Sequence, residues 1–229
     1  MKWLSEFWRS SVGGKVTMAV TGILLFGFVV AHLLGNLQLF AGSRAINAYA
    51  EFLASKGGLL WAARIGLLAI FTLHVVTAIR LSRANKAARP VAYSKEATVQ
   101  ATFASRSMVF SGLSLLVFVI YHLLHFTFGV TNPGHFARKG MNAGGHDVYA
   151  MVTASFSVPA IAIAYAAFQL VLFLHLRHGI QSFAQTLGLN HSRYTPVVNI
   201  LSIALAALIA GGNLLLSLSV LLGIVKVAS

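Results

Sequence analysis

The sequence predicts an all-α fold: one integral membrane domain, residues 1–229, built as a bundle of five transmembrane helices with a cytoplasmic N-terminus. Three observations carry this. The chain is 58% hydrophobic and only 9% charged, where a soluble domain carries roughly 25% charged residues. Its apolar residues fall into five long runs, each near or above the roughly 20 residues that a membrane helix needs. Its 17 Lys and Arg residues are spread unequally over the two sides those runs define, as cytoplasmic loops require. Backbone groups find no water in hydrocarbon, so the runs must be helices or a closed barrel, and runs this continuous are helices.

Residues Met1 to Lys15 are polar and basic, with Trp3, Phe7 and Trp8 among them. The apolar run that follows is too long for a signal-peptide core and has no small-residue cleavage site, so the terminus is expected to be retained, its aromatics at the membrane surface. The five runs cover about 17–40, 59–81, 107–130, 150–176 and 197–225. Turn formers punctuate the gaps: Ser43 and Lys56-Gly57-Gly58, then Pro90, then Asn132-Pro133-Gly134 and Gly144-Gly145, then Gly188 to Pro196. No internal repeat of the transporter kind is visible. With the N-terminus inside, the inner side holds Lys2, Arg9, Lys15, Arg80, Arg83, Lys86, Arg89, Lys95, Arg106, Arg177 and Arg193. The outer side holds only Arg44, Lys56, Arg64, Arg138, Lys139 and Lys226.

The composition excludes several functions. The net charge of +13 sits in short gaps between apolar runs, without an Arg-rich module or an aromatic ladder, so the partner it implies is the lipid bilayer and not nucleic acid. The absence of cysteine rules out disulfides, thiolate zinc sites, iron–sulfur clusters held by this chain and covalent c-type haem. The four acids, Glu6, Glu51, Glu96 and Asp147, all fall outside the runs, which argues against a proton-coupled transporter, whose relay needs an intramembrane acid.

Nine histidines are the chemistry-bearing residues. His135, His146 and His191 fall in loops and read as solvated or interfacial. His32, His74, His122 and His175 lie one on each of the first four runs, with His125 and His178 close by. A neutral imidazole in hydrocarbon is costly unless its nitrogens are occupied. At about 1.5 Å per residue, His32 and His122 both lie roughly 22 Å from the inner edge, and His74 roughly 9 Å from it. His175 stands near the inner end of the fourth run. Two pairs are therefore expected, His32 with His122 outside and His74 with His175 inside, their levels about 13 Å apart. His125 lies nearly on the His122 face and competes for its role. His178, after Arg177, is expected at the inner headgroups.

Two bis-histidine b-type haems fit this pattern, with iron bound from opposite faces and an apolar macrocycle between helices. Zinc would want four donors in one tetrahedron, and these histidines come as separated pairs. Gly35, three residues after His32, and Gly179, four after His175, share their faces and are expected to make room for a flat ring. The plainer expectation is that each histidine hydrogen-bonds a neighbouring helix.

The stretch Ser10-Ser11-Val12-Gly13-Gly14-Lys15, followed by Thr21-Gly22 and His32-Leu33-Leu34-Gly35-Asn36, resembles the opening of the dihaem cytochrome b subunit of bacterial succinate dehydrogenases and fumarate reductases. His175-Leu176-Arg177-His178-Gly179, continuing through Gln185-Thr186-Leu187-Gly188-Leu189-Asn190-His191, is similar to it as well. The resemblance covers the whole chain. Its fourth-helix spacing to Gly188 favours His175 over His178, and Tyr121-His122 favours His122 over His125.

The resemblance implies a bacterial cytoplasmic-membrane anchor, not the catalytic head. It implies flavoprotein and iron–sulfur partners, two b haems and a quinone, typically menaquinone, as electron acceptor. Electrons would enter at the inner pair, His74 and His175, and leave from the outer pair, His32 and His122. The chain itself would not act on succinate. Some fumarate-reducing relatives carry a glutamate two residues before the fourth-helix ligand; Phe173 stands there, which tilts the expectation toward succinate oxidation. The quinone is expected at the outer end, near Glu51 and Trp61. The rival readings are an anchor of another quinone-linked enzyme, such as a hydrogenase or formate dehydrogenase, and a haem-free transporter.

Overall fold

The computed structural model describes residues 6–8, 10–88, 102–136 and 147–227. Lys2, Trp3, Arg9, Arg89, Pro90, Lys95, Glu96, Arg138, Lys139, Gly144, Gly145 and His146 lie outside these residues. Among the described residues the regular structure is helical throughout. Five helices are long and apolar enough to cross a membrane, and the chain is a multi-pass membrane protein.

The first span, α1, is Ser11–Asn36, extended by a tighter stretch Leu37–Ala41. It begins six residues before hydropathy suggests because Ser10 caps it, its Oγ accepting from Gly13 N at 2.9 Å. A second helix, α2 at Ser43–Ala54, occupies what reads as a gap in the sequence. The spans α3, Gly58–Ala87, and α4, Met108–His122, follow, and α4 ends in a π turn, Leu123–Thr127. The chain then runs through α5, Val148–Phe156, to the spans α6, Pro159–Thr186, and α7, Thr195–Leu221.

The fourth span departs from its sequence reading. Apolar character is continuous from residue 150, but Pro159 has no N–H to continue a helix, and Val158 before it is extended at φ −83° and ψ 113°. The run therefore breaks into α5 and α6. At its other end α6 carries on through Arg177, His178 and Gln181 to Thr186. His175 consequently lies eleven residues inside the helix end and not beside it.

The spans α1, α3, α4 and α6 form a ring in that order, closely packed except between α3 and α4, with α7 laid against α6 outside it. Thus α1 and α4 face each other across one diagonal, and α3 and α6 across the other. Large apolar side chains such as Phe110, 73% exposed, and Leu208, 69% exposed, point outward, as they must when the solvent is lipid. Many of the buried positions between the helices are small or polar, among them Ala162, Ala206, Thr77, Ser111 and Ser202, beside a core of larger side chains such as Leu39, Phe156 and Ile209, and small residues let membrane helices approach closely. The end of the bundle where α1 begins is termed proximal and the other end distal. The distal end is covered by α2 and α5, joined where Asn47 Nδ2 donates to Asp147 Oδ1 at 2.9 Å and Tyr149 N donates to Asn47 Oδ1 at 3.1 Å.

Candidate functional site

At the proximal level α3 turns His74 toward α1, and α6 turns His175 toward α4. Thr21 Oγ1 lies 2.7 Å from the Thr17 carbonyl and 3.0 Å from His74 Nδ1. A hydroxyl has one proton, and the carbonyl can only accept, so the Thr21 oxygen receives the His74 Nδ1–H. Ser111 repeats the arrangement. Its Oγ lies 3.1 Å from the Met108 carbonyl, to which it donates, and 3.2 Å from His175 Nδ1. In that arrangement each ring carries its proton on Nδ1 and has a lone pair on Nε2. The next residue in each helix is a glycine. A Cβ at Gly22 would lie 3.6 Å from His74 Cε1, and one at Gly112 would lie 3.5 Å from His175 Cε1.

At the distal level His32 and His122 meet across the α1–α4 diagonal, ring centres 5.7 Å apart and planes at 71°. Phe28 lies tilted beside His32, and Phe118 and Phe126 flank His122. The Asn36 side-chain amide, one turn along α1, lies 2.9 Å from His32 Nδ1. Its Nδ2 is the donor to Nδ1 and lies 3.5 Å from Nε2; the amide oxygen has to take that position for Nδ1 to keep the proton and Nε2 to carry a lone pair. His122 Nδ1 lies 3.5 Å from Tyr165 OH on α6. Each of the four rings is thus held at Nδ1. His32 follows Thr21 by eleven residues, and His122 follows Ser111 by the same count. Eleven residues are close to three full turns, so each helix shows one face at both levels, roughly 16 Å apart. That exceeds the separation of about 13 Å expected from the sequence, which took the proximal level from the distance of His74 to Arg80.

His125 takes a different place from His122. The π turn, closed by Phe128 N donating to the Leu123 carbonyl at 2.9 Å, swings it off the face that His122 shares with His32. It is buried, with Nδ1 3.0 Å from Tyr165 OH, and Nε2 3.1 Å from Ser155 Oγ and 2.9 Å from Asn132 Nδ2. Both its nitrogens are occupied by the protein. His178 lies one turn beyond His175, half-buried. His135 is tied to the distal cap through Ser155 Oγ at 3.2 Å, and His191 Nδ1 accepts from Arg193 N within a turn.

One expected ring-clearing glycine serves another purpose. A Cβ at Gly35 would come within 2.6 Å of Tyr49 Cε1, so Gly35 admits the cap helix α2 and not a ligand of His32. Gly179 has nothing near it. The glycines that face histidines are Gly22 and Gly112. Sequence reading missed them because their signal, a hydroxyl residue, glycine and then a histidine ten residues on, shows only when α1 and α4 are aligned. Glu51 and Trp61 are both exposed, on α2 and at the distal start of α3. Among the described residues no three His, Asp or Glu side chains gather at one point that could hold a metal; the donors come in twos. Neither a family model, nor a curated protein, nor a solved structure matches this chain.

Proposed function

We propose that this chain is the membrane anchor and electron-transfer subunit of a succinate:quinone oxidoreductase of the bacterial cytoplasmic membrane. In this reading the proximal end is cytoplasmic. His74 and His175 would hold one b-type haem, and His32 and His122 a second. The observation that carries it is the pair of committed hydroxyls. With the Thr21 and Ser111 protons on their helix carbonyls, the contacts to His74 and His175 Nδ1 leave Nε2 of each ring as a bare lone pair inside a membrane bundle. An unpaired nitrogen there is costly, and a metal is the partner that second-sphere hydrogen bonding of this kind serves. The distal pair supports the same reading. Its ring centres lie 5.7 Å apart across the α1–α4 diagonal, so both imidazoles could hold one metal between the two helices.

This chain's own residues orient and enclose. Thr21, Ser111, Asn36 and Tyr165 fix the four rings, the latter two by the longer or more local contacts. Gly22 and Gly112 keep side chains away from the proximal rings. Bound there, a b haem at each level supplies a one-electron iron couple that carries electrons between an iron–sulfur partner and a quinone, menaquinone by resemblance. Succinate as the ultimate donor rests on the likeness of the Ser10–Lys15, His32–Asn36 and His175–His191 stretches to the dihaem anchors. The flavoprotein and iron–sulfur subunits would dock on the proximal face, and quinone would react near the distal end. The deciding experiment is a pyridine haemochrome assay on the purified chain, with partners identified by co-purification. Two b haems per chain and reduction by succinate in native membranes are expected. Absence of a b-type band would sink the haem reading, and reduction by formate or hydrogen alone would reassign the partner enzyme.

A further inference from the structure

We propose that the proximal end of the α1–α3 interface binds an oxyanion, a carboxylate or a phosphate, through Arg80 and Trp8. Three side-chain N–H groups are buried there without an acceptor: Trp8 Nε1, Arg80 Nε and Arg80 Nη2. The two side chains are fixed against each other. The Arg80 guanidinium lies 4.3 Å over the Trp8 indole, and its Nη1 donates to the Trp8 carbonyl. Neither side chain has an acceptor atom, so no rearrangement of the pair lets one satisfy the other. Native proteins rarely leave such groups unpaired without a reason, and a cluster of donors with a cation at its centre selects a negatively charged oxygen.

The wall beside it is bare backbone. A Cβ at Gly14 would run into Arg80 Nη2 and Leu81. Thr77, one turn from Arg80 toward His74, is fully buried and its Oγ1 also has no partner. Unpaired polar atoms therefore run down α3 from just below the proximal histidine level to Arg80. Two sources can supply the oxyanion. One is a propionate of a haem on His74, which rests on the reading above; the other is a phospholipid phosphate at the membrane surface.

The test uses the full chain purified with its lipids, as wild type, Arg80→Gln and Trp8→Phe. Midpoint potentials are measured by redox titration, and tightly bound phospholipid by native mass spectrometry. With a propionate in place, Arg80→Gln keeps two haems and lowers one of the two potentials, because the lost cation had disfavoured ferric iron. Trp8→Phe keeps the stacked ring and the carbonyl and shifts the same potential less. Loss of bound phospholipid with both potentials unmoved identifies a lipid phosphate instead. If Arg80→Gln does not accumulate, Trp8→Phe decides by the same two readouts. Variants that match wild type in both potentials and in bound phospholipid overturn the site. A wild-type chain without haem refutes the haem reading alone, and the phospholipid measurement then decides this one.

Discussion

At the proximal level each histidine is held from a neighbouring helix: Thr21 on α1 holds His74 of α3, and Ser111 on α4 holds His175 of α6. At the distal level His32 is held from within its own helix by Asn36, and His122 by a longer contact to Tyr165, itself bonded to His125. A cross-helix hydrogen bond fixes the ring and the helix spacing together. A bond within one turn fixes only the ring and leaves helix separation to other packing. The distal pair gets that packing from Phe28, Phe118 and Phe126, and from the cap of α2 and α5. The same two helices, α1 and α4, serve both levels, offering a hydroxyl and glycine at one and a histidine at the other. Damage to either helix should therefore reach both levels, whereas damage to a single side chain should stay at one.

Single substitutions of the four histidines break the comparison most directly. His74→Ala or His175→Ala should halve the haem content and leave the distal potential unchanged; His32→Ala or His122→Ala should do the reverse. His125→Ala and His178→Ala should keep both haems, although His125→Ala strips partners from the buried Tyr165 and Ser155 and should lower thermal stability by about 1–3 kcal/mol. Haemochrome content with redox titration reads all six variants. Loss of both haems from any single histidine variant would mean that the levels are not independent.

The next effect lies one bond out. Thr21→Val and Ser111→Ala remove the oxygen that accepts Nδ1–H and should weaken proximal haem retention about 10–100-fold, the usual cost of losing such a partner. Tyr165→Phe should weaken the distal level by less, because the contact it removes is 3.5 Å long. Haem loss to an apo-protein acceptor, followed over time, measures this. Equal losses at both levels would show that the difference in support has no consequence.

Much of the bundle was legible because its cause is one-dimensional. Membrane thickness sets span length, and a fixed rise per residue turns sequence position into depth, which is how His32 and His122 could be set opposite each other before any fold was known. What failed was whatever depends on a neighbour. Helix spacing puts Gly35 on the His32 face but cannot tell that Tyr49 of an unrecognised helix fills that space. The break before Pro159 had a visible signal, yet apolar character runs unbroken across it and hid the boundary. Thr21 and Ser111 looked like ordinary helix residues bonding their own backbone, which they also do; their second role needs the histidine of another helix. The π turn that separates His125 from His122 has no clear mark in the sequence.

Glycine substitutions sharpen the comparison at smaller scale. A methyl at Gly22 or Gly112 would meet only His74 or His175 Cε1, at 3.6 and 3.5 Å, an ordinary contact that the protein alone tolerates. Cε1 adjoins Nε2, however, so the same methyl crowds anything flat bound to that nitrogen. Gly22→Ala and Gly112→Ala should therefore accumulate normally yet lose proximal haem in part. Gly35→Ala should instead disturb the α1–α2 packing and reduce chain yield without a selective loss of haem. Immunoblot and haem spectra on the same membranes separate the two classes. Full proximal haem in both Gly22→Ala and Gly112→Ala would place the bound group on another side of the rings.

The smallest effect expected is at the surface, and it contrasts the two ends as wholes. Arg83 and Lys86 are exposed on the last turns of α3 at the proximal end, and Arg44 and Arg64 are exposed at the distal end. On the proposed function, an iron–sulfur partner serving His74 and His175 would approach from the proximal side. Arg83→Glu with Lys86→Glu should then weaken retention of the catalytic subunits at the membrane and leave both haems in place. Arg44→Glu with Arg64→Glu should leave retention unchanged. Exposed charges are screened beyond about 8 Å at physiological ionic strength, so the proximal loss should be largest at low salt and fade as salt rises. These residues also bear on topology, since basic residues mark the cytoplasmic side. Had the reversal acted there, insertion would fail and haem would fall together with partner binding. Haem content and succinate dehydrogenase activity, measured on the same membranes at two salt concentrations, separate docking from topology. Activity that stays membrane-bound at low salt with haem intact would move the docking face to the α6–α7 connection, where Arg193 is exposed.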